Sequence, residues 1–539
     1  MKRLWRMSLT LLVALLLAPV SPQAQGRPFR GSVKWSILLC RFTDGGAVPH
    51  DADFYRDMFV NARTGGLADY WDDTSYGGIN LNGSDVRGWY NMNITVAQGN
   101  ALDRWGRVDA CVNAARSAPA NAYQVPAGNR VAVITFPSID MFGWNGGAFL
   151  PHDVDVGGMA HEVGHGITLN HSFSDDPTYR NADWAAIGEY DDPWDVMSWG
   201  NAFRVATMRF GDGPVGLNGF HRDRMGWLPR QRILTFGADG ASNRTLTIAA
   251  LDHPEAGGYM LVRVPFDPSD LNRYYVVELR RRTTWDAGIP ADIVLIHEVK
   301  KRDDGTYYSF LLRERTGDRN PVQSVNANGV TIGINSLTAA ANQASVTITS
   351  NIVDRCIQGF VWREASPADH VCVTGAVRSD TANENAQAAS RRNPGGGAFG
   401  PDTCRSGFVW RQAFATDHVC VPAASRTRAA ADNGAAAGRR NPARLVFGPN
   451  TCKPGFVWRE ADARDWVCVT GAVRAQTAAD NTQAAARRNP GGGAFGPDTC
   501  RAGFVWRDAF PGDHVCVAGA TRTQAANDNA QASARLAYQ

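Results

Sequence analysis

The chain has 539 residues, 44% of them hydrophobic, so it can bury sizeable cores, and its length points to three or more domains. Its formal net charge at pH 7 is only +3, and Lys2, Arg3 and Arg6 account for the excess. That balance gives no reason to expect nucleic acid or an anionic membrane as the main partner.

Residues 1–24 read as a secretory signal: the three cations, an apolar run from Leu9 to Leu17, then Pro19 and small residues ahead of Ala24. The run is too short for a bilayer span and no other stretch is long enough, so no transmembrane segment is expected. A secreted, extracellular chain is expected, and in that compartment its 10 cysteines read as disulfides. Cys40 and Cys111 stand apart from the other eight and are expected to pair. Cys40 lies in Ser36-Ile-Leu-Leu-Cys-Arg-Phe42, which reads as a buried first strand rather than a latency thiol.

From about residue 32 to 230 strand and helix alternate. The pattern predicts a helix over 103–116 and a short strand over 131–136, followed by the Gly- and aromatic-rich loop 142–149. His152, Asp153 and Asp155, with further acids from Asp175 to Asp195, are candidates to hydrogen-bond metal ligands or to bind calcium. No EF-hand spacing is present, which leaves calcium unsupported.

Residues 159–171 read Met-Ala-His-Glu-Val-Gly-His-Gly-Ile-Thr-Leu-Asn-His. At about 3.6 residues per turn, His161 and His165 share one helix face. Glu162 leans over the same point, where a carboxylate takes a proton from the attacking water. In an unbroken helix His171 would point about 120° away from His165, so the chain must leave the helix to bring it back. Gly166 and Asn170 are the residues expected to permit that turn. Three histidines with a fourth position left to water is the pattern of catalytic zinc, Zn2+, one ion.

With these residues in place, 35–297 resembles the gametolysin-like and immune-inhibitor-A-like secreted metallopeptidases, members of or neighbours to the metzincins. The metzincin pattern is HExxHxxGxxH followed by a methionine turn. Asp195-Val-Met-Ser198 stands where that turn belongs, and the resemblance implies that Met197 floors the metal. The stretches 67–77, 88–90, 219–228 and 285–290 add to the likeness in their order. It further implies that loop 142–149 borders a cleft beside a strand along which a peptide lies. Two departures stand out. Thr168 replaces the metzincin glycine and, being β-branched, is expected to force a differently made turn. Trp199 stands where some metzincins place a tyrosine that assists the transition state, which leaves Tyr190 as the candidate helper.

From 231 to 352, short β-branched runs separated by Gly, Pro, Asp and Asn predict an antiparallel, sandwich-like β domain. His297 and Glu298 read there as polar residues on a strand's outer face.

Residues 353–539 hold four copies of a repeat with a 48-residue period, each opening Cys-x-x-Gly-Phe-Val-Trp-Arg with a second Cys 16 residues on. Pairing within each copy leaves no cysteine over, so Cys356–Cys372, Cys404–Cys420, Cys452–Cys468 and Cys500–Cys516 are predicted. Trp362, Trp410, Trp458 and Trp506 are expected to fill the small cores, and Gly/Pro linkers such as Asn393-Pro394 to string the copies like beads.

The expectation is therefore an α+β chain: a metzincin-like zinc peptidase domain (25–230), a β-rich domain (231–352) and four disulfide-bonded repeats. Its function would be a secreted zinc endopeptidase acting on a protein or peptide substrate, with Glu162 as general base. The rival from another class is an adhesive protein whose repeats bind a cell surface, matrix or glycan; a third is zinc hydrolysis of another bond, such as an amide in cell-wall peptide.

Overall fold

The computed structural model describes residues 29–238, 241–267, 270, 272–350, 356–357, 359–367, 369–439 and 448–537. The signal reading over 1–24 and the boundary at 352/353 lie outside them. Among the described residues, no helix is long and apolar enough to cross a membrane.

The apolar runs Trp35–Arg41 and Arg130–Phe136 form the middle of a five-stranded sheet ordered Asp85–Asn91, Trp35–Arg41, Arg130–Phe136, Gly147–Pro151, Phe142–Trp144. The first four strands are parallel, and Phe142–Trp144 turns back to pair antiparallel at the edge. Side chains alternate across the sheet. Leu38, Cys40 and Val133 face the helix Arg104–Ser117, to which a Cys40–Cys111 disulfide (S–S 2.01 Å) ties the strand. Ile37, Leu39 and Ile134 face the helix Val156–Gly166, which carries His161 and His165.

Beyond residue 230 two sheets face each other, one of six strands and one of four. Val262, Val277 and Ile296 from one pack against Ile332, Val346 and Ile348 from the other. The expectation of a purely antiparallel domain needs correction at both edges of the larger sheet. Ile233–Thr235 pairs parallel with Leu261–Pro265, and Phe173–Ser174 pairs parallel with Tyr307–Leu311. Phe173–Ser174 lies just past His171, so the region that carries the three histidines completes the sheet of its neighbour.

His297 is also corrected. It is fully buried, with Nε2 3.0 Å from Asp192 Oδ2, because the face expected to meet solvent is covered by the segment that follows the three histidines.

The tail is not beads on a string. Each copy carries its disulfide, at S–S distances from 2.01 to 2.11 Å, and a two-residue hairpin. The copies interleave in pairs. In the first pair, Ile357 N–H donates to Arg439 O at the end of the second copy's helix, while Arg405 N–H donates to Arg391 O at the end of the first copy's. Lys453 to Arg535 and Arg501 to Arg487 repeat the exchange in the second pair.

Nor does the tryptophan fill the repeat core. Trp362, Trp410, Trp458 and Trp506 are half-buried, and the first, second and fourth stack on His370, His418 and His514 with ring centroids 4.1 to 4.2 Å apart. The large side chains buried in every copy are Arg363, Arg411, Arg459 and Arg507, forked onto Asp369, Asp417, Asp465 and Asp513 at 2.7 to 3.1 Å. A planar guanidinium satisfies several acceptors at once. Arg363 reaches Asn433 in the second copy (3.0 Å) and Arg411 reaches Asn385 in the first (2.9 Å), so each pair is cross-linked through its cores.

The second pair docks on the N-terminal region, against Arg30 and residues 223–230. Where the other copies have the stacking histidine, the third has Trp466, 2% exposed, with its indole N–H on Leu228 O at 3.2 Å. Arg30 forks onto Asp462 (3.2 Å), Arg230 donates to Asp465 O (2.7 Å), and Asn450 donates to Asp223 O (2.7 Å).

Candidate metal centre

The helix Val156–Gly166 is capped by Asp155, whose Oδ1 accepts from Gly158 N at 2.7 Å. Glycine at 157 lets the Trp199 ring lie against the helix, and glycine at 164 admits Met197, whose Sδ would stand 2.7 Å from a Cβ there. Met197 is fully buried against Gly164 in the short 3-10 turn Val196–Ser198, held by Asp195 Oδ1, which accepts from Met197 N at 2.8 Å.

The helix ends through Thr168 itself, not by a different turn. Thr168 takes φ +77°. Its N–H bonds His165 O, and Leu169 N–H bonds Gly164 O, each at 2.9 Å, the two bonds of a Schellman ending usually built on glycine. Neither Gly166 nor Asn170 has positive φ. The strain in the β-branched residue is offset by those two bonds and by the contact that follows, His165 Nδ1 on Leu169 O at 2.9 Å.

That turn brings His171 back. His165 Nε2 lies 3.2 Å from His161 Nε2 and 3.0 Å from His171 Nε2. The other ring nitrogens all face acceptors: His161 Nδ1 to Val196 O (3.0 Å), His165 Nδ1 to Leu169 O, and His171 Nδ1 to Glu189 Oε1 (2.7 Å). Carbonyl and carboxylate oxygens only accept, so Nδ1 carries the proton in each ring and three Nε2 lone pairs face one another. A tetrahedral cation with nitrogens at 2.0–2.1 Å needs them about 3.3 Å apart, so the three residues can hold a metal ion.

Burial, then His165 and His171, holds His161 well below the usual imidazole range; burial, then His171, brings His165 down to about 3. Both rings therefore stay neutral and ready to ligate at ordinary pH. Burial pushes the Glu162 carboxyl up to about 8, against Arg104 and the Gly143 N–H. A cation on the three Nε2 atoms acts in the opposite direction and favours the carboxylate. Tyr190, at φ +62°, places its hydroxyl 2.9 Å from His171 Nε2; burial, then Glu189 and Glu162, raises its pKa.

The residues thought to orient the ligands divide. Glu189 does so. His152 and Asp153 instead meet Ser138 at 2.8 and 2.6 Å, and Asp155 is the helix cap. Asp175, Asp176 and Asp191 form ion pairs with Arg313, Arg315 and Arg319 of the β-rich region. Those acids are thereby committed, and the only group of three or more His, Cys, Asp or Glu placed to hold a metal among the described residues is the histidine triad.

The triad and Glu162 open into a cleft of about 670 Å³, walled by Phe142 and Gly143 on one side and Trp184, Tyr190 and Trp199 on the other. The edge strand Phe142–Trp144 presses onto the helix there: a Cβ on Gly143 would meet the His165 Cβ at 2.7 Å. Its position as the last strand of the sheet leaves a backbone edge beside the histidines. No family model matches the chain, and no curated protein matches it.

Proposed function

We propose that the chain is a secreted zinc-dependent endopeptidase of metzincin-like type. The observation that carries this reading is the convergence of three Nε2 lone pairs, each ring locked by its Nδ1 partner, with Glu162 on the helix of the first two and the edge strand Phe142–Trp144 beside it. Zinc bound by His161, His165 and His171 would supply a Lewis acid that polarises a carbonyl and lowers the pKa of water.

The protein's own groups do the rest. An extended peptide adds along Phe142–Trp144 through main-chain hydrogen bonds, which places a backbone carbonyl over the triad whatever its side chains. Glu162 accepts the proton of the attacking water and delivers it to the leaving amine. The Tyr190 hydroxyl, kept protonated by its raised pKa, donates to the oxygen on which charge develops. Export is supported by five disulfides and no free cysteine among the described residues.

The test is hydrolysis of an unfolded protein by the full chain and by Glu162→Gln, with zinc content measured in parallel. Chelator-sensitive cleavage, restored by zinc and lost in the variant at equal zinc content, is expected. Full activity in the variant would remove Glu162 from its role, and a zinc-loaded wild type that cleaves nothing would remove the peptidase reading.

A second reading, surface binding through the repeats, is favoured by Phe399 and Phe495, 67% and 70% exposed beside Trp410 and Trp506. Deleting 356–439 tests it without uncovering the docked pair. Peptide hydrolysis is expected to survive; loss of binding to a cell wall or matrix preparation would support the adhesive role.

A further inference from the structure

The cleft carries one charged side chain that the proposed chemistry does not use. Arg104, first residue of the helix Arg104–Ser117, lines the same cavity as Glu162 and the triad, and its guanidinium lies 4.5 Å over the ring of Phe142, where the edge strand begins. Among the described residues its one carboxylate partner, Asp140, is shared. Arg107, 16% exposed, holds Asp140 Oδ2 at 2.5 Å, whereas Arg104, 58% exposed, reaches it at 3.2 and 3.4 Å. The neighbouring Asp103 carboxylate is turned to cap Gly106 N–H at 2.7 Å. Glu162 is the only acid among the residues lining the cavity. Arg104 and Arg107 thus share the Asp140 carboxylate, and Arg104 is the more exposed of the two and the one that lines the cleft.

We infer that the cleft selects an extended peptide with an Asp or Glu side chain a few residues from the scissile bond, received by Arg104. This rests on the peptidase reading above. A substrate strand beside Phe142–Trp144 passes the guanidinium, whose Nε and one Nη face Asp140 at 3.2 and 3.4 Å and whose other Nη, on a half-exposed side chain, can donate to a carboxylate. The exposed indoles of Trp105, stacked edge-on to Trp144 at 5.2 Å, and of Trp184 flank that path and favour apolar neighbours on either side of the acid.

The experiment uses the full-length zinc-loaded protein and a peptide set of one sequence, in which Glu, Gln or Lys is placed in turn at each position around the cleaved bond. The expected result is one position where Glu raises kcat/KM about tenfold to hundredfold over Gln, the span of a charge-assisted hydrogen bond. Arg104→Gln should abolish that gap, and Arg104→Glu should invert it in favour of Lys. In wild type, KM for the Glu peptide should rise with salt while that for the Gln peptide does not. An unchanged order in the variants, or a salt-independent KM should both variants prove unstable, would overturn the inference and leave the peptidase reading standing. Failure of the wild type to cleave any peptide would overturn both.

Discussion

A Cβ built on Gly143 would stand 2.7 Å from the Cβ of His165. The edge strand and the ligand helix are therefore in backbone contact, and the strand holds its position because that residue has no side chain. Gly143→Ala must push the strand outward at a cost of about 1–3 kcal/mol. On the peptidase reading, full zinc content is expected with a fall in kcat/KM of about tenfold or more, since a displaced edge strand would carry a bound peptide away from the triad; atomic absorption beside a peptide assay reads both.

Glu189 fixes the tautomer of His171 through the 2.7 Å bond to Nδ1, and its other oxygen accepts from Ala186 N. Glu189→Gln keeps the shape and weakens the ring's orientation. Zinc affinity, measured by competition with a chromophoric chelator, should fall about tenfold to hundredfold. An unchanged affinity would show that the turn alone positions His171.

Thr168 carries the left-handed conformation of the helix ending at φ +77°. Such strain in a β-branched residue costs about 1–3 kcal/mol, part of which glycine returns as chain entropy on unfolding. Thr168→Gly is expected to raise the melting temperature by a few degrees with zinc binding unchanged; a lower Tm would mean that the threonine side chain contributes more than its strain removes.

Burial opposes charge on His297, but Asp192, then Glu278 and Asp195, outweigh it and raise its pKa above 6.5. A pKa raised on folding contributes stability that is full below the unfolded value and is lost as pH rises through the folded one. His297→Gln should therefore cost most below about pH 6.5, on the order of 3–5 kcal/mol for a broken buried pair. The gap between variant and wild type should narrow at higher pH. Urea denaturation at a series of pH values measures it.

Cys404→Ser with Cys420→Ser removes one disulfide, at a cost of about 2–5 kcal/mol. Because the first two copies exchange backbone hydrogen bonds and share buried arginine contacts, amides of 356–391 should lose hydrogen-exchange protection along with those of 404–439, while 452–535 keeps theirs.

The convergence of His161 and His165 was legible because four residues is one helical turn, and that of His171 because a third donor near by must return to the same point. The means of return was not. Propensity disfavours threonine at positive φ, but two Schellman bonds and the His165–Leu169 contact override it. The repeat core was misread for a related reason. Arginine is rarely buried, so the recurrent tryptophan drew the inference, although Arg and an Asp six residues later recur in all four copies. The third copy's Trp466, alone where its sisters have histidine, was the visible mark of docking, but what it meets lies 238 residues away at Leu228. The β-rich region was readable as strands, yet its shared edge with Phe173–Ser174 depends on a contact that no local pattern encodes.

The reciprocal exchange between copies also bears on how such a tail can change in length. Each copy borrows the helix end of one neighbour and lends its own to the same neighbour, so the transaction closes after two. A gene that gained or lost a single 48-residue segment would leave one hairpin edge bare and one guanidinium short of its acceptors. Duplication or deletion in steps of two leaves no such remainder, and even-numbered arrays are the ones this architecture tolerates.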